Sequence, residues 1–147
     1  MRSAFTMIEL IFVIVILGIL SSIAIPRLST TRDDAEVVRA AEEIRTLIND
    51  LAVYYTASGL FGKLSDMTNV PLVDASFNAF DANLTTKAYY SNSAHTEKCI
   101  SIQVSNDSGD LNITAESSNS TLCSSLNKVL KNSLKIHHFG GSTISYN

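Results

Sequence analysis

One carboxylate, Glu9, stands inside an apolar run that begins almost at the first residue. Residues 5–25 read FTMIELIFVIVILGILSSIAI, and Glu9 is the one ionisable side chain among them. An acidic group at the centre of a membrane helix costs about 2.5–3.5 kcal/mol on insertion scales, so Glu9 calls for a cationic partner even near one end of the run. Other groupings offer weaker chemistry. His95 with Glu97 and Cys99 resembles a nucleophilic dyad in outline, without an oxyanion-hole motif. His137 and His138 are adjacent, so their side chains point apart on a helix or a strand. They read as solvent-facing residues near a sheet edge. The run Asp107-Ser108-Gly109-Asp110 has the oxygen ligands of a calcium loop but neither the spacing nor the closing Glu of an EF-hand, and reads as a turn.

The residues before Glu9 supply a source for its partner. Met1-Arg2-Ser3-Ala4 is a short, basic, small-residue leader, followed by the bulky Phe5. A cut between Ala4 and Phe5 would give Phe5 a free α-amine four residues before Glu9. The string Ala4-Phe5-Thr6-Met7-Ile8-Glu9-Leu10 resembles the prepilin signature of type IV pilins and type II secretion pseudopilins. Gly18 and Pro26 also stand where many members have Gly and Pro, whereas most members have Gly at the position of Ala4. The resemblance covers residues 1 to about 30. It implies cleavage and N-methylation at Ala4 and Phe5 by a membrane peptidase, with Glu9 becoming the fifth mature residue and serving subunit assembly. It also implies polymerisation with other copies or other pilins, an inner-membrane platform protein and an assembly ATPase.

At about 1.5 Å per residue, a helix over residues 5–25 is long enough for the hydrocarbon layer of a membrane. Arg2 at one end and Arg27 and Arg32 at the other leave the positive-inside count undecided. The two cysteines and the polar bulk of the later chain favour a cytoplasmic N-terminus, with the C-terminal part outside. A rival reading treats residues 10–20 as the core of an ordinary signal peptide cut after Ala24, which would release a secreted binding module. A third class, a membrane-tethered hydrolase, would depend on His95 or His137. Net charge is −3, from 11 Lys and Arg against 14 Asp and Glu without a basic cluster, which argues against nucleic acid as a partner. No phosphate-binding loop or metal-ligand cluster stands out, and no cofactor is expected. Cys99 and Cys123 pair as a disulfide in an exported domain; in a cytoplasmic one they would be two free thiols. Asn83, Asn106, Asn112 and Asn119 each open an Asn-x-Ser/Thr triplet, and Asp81 and Asp110 stand two residues before the first and third of these.

The elements that must position these groups follow from periodicity. After Pro26 the pattern stays helical: Val37, Ala41, Ile44, Ile48, Leu51 and Tyr55 recur at helical spacing. One helix is therefore expected over about 6–57, kinked at Pro26, weakened at Gly18 and ended by Ser58-Gly59. Residues 60–90 read as a connection with a short helix at Leu64–Met67. Residues 98–116 alternate around a turn and read as a β-hairpin, followed by a short helix near Leu122–Leu130 and a last strand at Thr143–Tyr146. The expected fold is α+β and pilin-like: a leader (1–4), a membrane and polymerisation segment (5–25), an amphipathic half-helix (26–58) packed on a small antiparallel sheet, and a head (59–147).

Overall fold

The computed structural model describes residues 6–140, and within them the side chains of all but residues 24–31. The cleavage pair Ala4 and Phe5 and the strand expected at Thr143–Tyr146 lie outside the described residues. The chain divides into two compact units, Met1–Glu36 and Val37–Asn147.

Helix α1 is assigned over Met7–Ser58 and contributes to both units. Its end is set by Gly59, whose φ of 77° suits a residue without Cβ and whose N–H reaches the Tyr55 carbonyl at 2.7 Å. Within the second unit, α1 presents Ala40, Ala41, Ile44, Leu47 and Leu51 to the core, with Ile48, Tyr54 and Tyr55 half-buried at its margin. The expected stripe is thus shifted slightly: Leu47 is at its centre, and Ile48 and Tyr55 are at its edge.

Among the described residues four antiparallel strands form one sheet in the order β1 (Ala88–Ser91), β2 (Lys98–Ser105), β3 (Asp110–Ala115) and β4 (Ile136–His138). The expected hairpin is β2 with β3, in register from Ile100 opposite Ala115 to Ser105 opposite Asp110. Alternation sends Ile100, Ile102, Val104, Leu111 and Ile113 into the same core as the buried residues of α1, giving an α+β fold. The turn needs Gly109: its φ is 66°, and a Cβ there would lie 2.5 Å from the Tyr55 hydroxyl and 2.7 Å from the Gly140 nitrogen.

Two short helices complete the head, α2 (Leu64–Met67) and α3 (Thr121–Val129). Both were expected. Strands β1 and β4 are not among the expected elements, since all of β1 but Ser91 falls in the 60–90 region read as a connection. A tertiary tie holds β1: the Tyr90 hydroxyl donates to Glu43 Oε2 at 2.5 Å, while Arg39 Nε donates to Glu43 Oε1 at 2.8 Å. Cys99 on β2 and Cys123 on α3 are joined in a disulfide, with both residues fully buried.

Candidate functional site

The start of α1 is built by two side chains that bond each other. Thr6 precedes the first helical residue, and its carbonyl accepts the Leu10 N–H at 3.3 Å. Glu9 Oε2 accepts from the Thr6 backbone N–H at 2.8 Å and from the Thr6 hydroxyl at 2.7 Å. The Glu9 N–H in turn reaches Thr6 Oγ1 at 3.3 Å. This is a capping box: two donors that a helix start leaves unpaired are satisfied reciprocally, and the carboxylate lies at the positive end of the helix dipole. Thr6-Met7-Ile8-Glu9 carries the Ser/Thr-x-x-Glu signature of that device. The misplaced charge points to a cation for Glu9; the cap partner Thr6 is signalled only by that spacing.

Beyond the cap, α1 presents apolar surface on every side. Every side chain from Thr6 to Ile23 is exposed, the large apolar ones by 41 to 80%. A helix apolar all round must be covered by something other than water. Among the described residues no helix is long and apolar enough to cross a membrane. Gly18 lies mid-helix with open space where a Cβ would project. Pro26 falls within the span assigned to α1, and its side chain lies outside the described ones.

The other candidate groupings take different places. Cys99 is bonded to Cys123, so it offers no thiolate to His95. His95 adopts a left-handed backbone with φ of 52°, and its Nδ1 lies 3.0 Å from Ser91 Oγ within the loop joining β1 to β2. His138 is solvent-facing on β4 and pairs with Asp110 at 2.5 Å, while His137 Nε2 lies 2.9 Å from the Ser133 carbonyl. The Ser108 hydroxyl, and then His138, hold the Asp110 carboxyl below its usual range. Among the described residues no group of three or more His, Cys, Asp or Glu side chains stands together as metal ligands would. The expected turn at 107–110 is observed.

Residues 1–25 match the family described as the prokaryotic N-terminal methylation motif. The chain is also 42% identical over 53 residues to the type II secretion system core protein G of Aeromonas hydrophila. That alignment covers 36% of this chain and 37% of the relative, so the chain spans little more than a third of the length of the curated protein it matches. No solved structure matches the chain. The chain therefore carries a prepilin-type methylation motif on an α+β, pilin-like fold and has a pseudopilin relative.

Proposed function

We propose that this chain is a structural, non-enzymatic subunit of a type IV pilus-like filament. The reading rests on one juxtaposition: a lone carboxylate held at the first turn of a helix, with a bare apolar surface following it. Cleavage between Ala4 and Phe5 creates an α-amine beside Thr6 and Glu9, and the same peptidase methylates it. Residues 5–25 then anchor the protein once through the inner membrane, with the head outside the cytoplasm.

In the lone chain, Thr6 satisfies Glu9. On assembly the carboxylate faces the amine of a neighbouring subunit, and this pairing sets the stagger between apolar helices as they leave the lipid. A charge pair in a low-dielectric setting favours assembly only where its attraction exceeds the desolvation of both groups, so the register must be accurate. Gly18 and Pro26 adapt the helix to that bundle. Extraction from the membrane is powered by an assembly ATPase acting through a platform protein.

The A. hydrophila relative favours a second reading, in which the same polymer is a periplasmic pseudopilus serving protein export. Loss of surface fibres on deletion of the gene supports the pilus; loss of secreted enzymes with fibres intact supports the pseudopilus. The test of the common premise is the intact mass and N-terminal sequence of the protein from native membranes. A start at Phe5 carrying one extra methyl is expected. A chain retaining Met1, or beginning at Ile25, overturns the proposal.

A further inference from the structure

The four Asn-x-Ser/Thr triplets differ sharply in their surroundings. Asn106 is occupied: its Oδ1 accepts the Phe61 N–H at 2.7 Å and its Nδ2 donates to the Phe61 carbonyl at 3.4 Å. Asn119 is exposed, but Ser117 stands two residues before it, where the longer Asp/Glu-x-Asn-x-Ser/Thr acceptor used by some bacteria has its acid. Asn112 has Asp110 in that place and an exposed side chain. However, it lies within β3, opposite Gln103 of β2 and Ile136 of β4, so its backbone is paired on both sides. Asn83 combines the favourable features. It is exposed, no hydrogen bond engages its side-chain amide among the described residues, and its carbonyl accepts the Thr86 N–H at 3.3 Å to close a turn. Thr85, which supplies the hydroxyl of the triplet, is exposed as well. Asp81 supplies the acid; it is half-exposed, paired with Lys63 at 3.0 Å, and accepts from the Ser65 N–H.

We propose that Asn83 is the acceptor of an N-linked oligosaccharide, transferred by an enzyme that reads Asp81 and Thr85 on either side of it. In this step Asn83 Nδ2 attacks C1 of a sugar carried on a polyprenyl diphosphate. The C1–N bond forms as the C1–O bond breaks, the diphosphate leaves with the electron pair, and a transferase carboxylate takes the amide proton. Leu84 is buried and its carbonyl accepts the Val104 N–H at 2.8 Å, and Asn83 forms an isolated antiparallel bridge with Lys63, so entry into the enzyme takes a local opening of this turn and of that one bridge. Entry of Asn112 from the folded head would take the loss of two strand pairings. Asn83 thus qualifies before or after folding, and Asn112 only before.

The inference rests on the reading that the head lies outside the cytoplasm, and Cys99–Cys123 provides an independent marker of that compartment. The experiment is peptide mapping of the full chain from native cells, with the disulfide state read first. Trypsin frees residues 64–87, whose peptide is expected to carry a sugar mass that electron-transfer fragmentation places on Asn83. Asn83→Gln should abolish that mass, and Asp81→Ala should lower occupancy more than tenfold. Lys63→Ala, which breaks the ion pair but keeps the acid, should leave occupancy unchanged or raised. A bare Asn83 peptide in a chain with an intact disulfide overturns the acceptor and leaves the compartment standing. A bare peptide with free thiols overturns both.

Discussion

The two ends of α1 obey one rule with opposite outcomes. Around Ile44, Leu47 and Leu51 the helix has one apolar face, and the chain covers it with its own sheet. From Met7 to Ile23 the helix is apolar on all faces, and every one of those side chains is exposed. The charges follow the same division. Glu43 in the head is shared between Arg39 and Tyr90, residues that fix the fold internally. Among the described residues, Glu9 has the cap that its neighbour Thr6 provides and no cation. The helix thus completes itself in the head and leaves its first half to be completed by lipid or by other copies. Fold stability and assembly should therefore respond to different substitutions.

The largest expected effect is on assembly alone. Glu9→Ala should reduce incorporation into fibres more than tenfold while the melting temperature of the head stays within measurement error. Fibres of normal abundance from that variant would remove the charge pair from the mechanism. A matched pair of truncations sharpens the contrast. Leu47→Ala, in the closed core, should cost about 3 kcal/mol in denaturant unfolding of the full chain in detergent, whereas Leu17→Ala should leave that transition in place. An equal loss from both would mean that the two regions melt as one unit.

Removing the crosslink acts only on the head. Cys99→Ser with Cys123→Ser should lower its stability by about 3 kcal/mol, the chain-entropy estimate for a loop of this size. The smallest effect is that of pH. Lys87 holds Glu116 below the usual carboxylate range, Lys63 does the same for Asp81, and the Asn78 N–H does so for Asp74. A carboxyl group depressed in the folded state stabilises above its unfolded pKa and loses that contribution as pH falls through its folded pKa. Head stability should therefore decline below about pH 4, and added salt should flatten the decline, because these groups face solvent. A midpoint unchanged from pH 6 to pH 3 would show these pairs to be inert.

Much of this layout was legible locally. Gly59 ends α1, Asn106 to Asp110 turn the hairpin, and Leu64 and Met67 of α2, like Leu122 and Leu126 of α3, fall at helical spacing, all within a few residues of the structures they form. Strand β1 was not legible because its inward residues are Ala88 and Tyr90. Ala is depleted in strands, and Tyr90, though a residue type that favours them, is fixed by Glu43, 47 positions earlier, in a strand of only four residues. Strand β4 is three residues long with little buried surface, so pairing with β3, not its own pattern, defines it. At the site, Glu9 stood out as a charge out of place. Thr6 did not, because a hydroxyl beside an apolar run carries no such anomaly.

The full burial of Cys99 and Cys123 has a further consequence. A reducing agent dissolved in the surroundings cannot touch either sulfur until α3 lifts away from β2. Resistance to reductants is therefore governed by how often that packing breathes open. Such a staple would outlast the machinery that installed it, and a protein exposed beyond the reach of repair enzymes would keep its shape for as long as α3 stays seated.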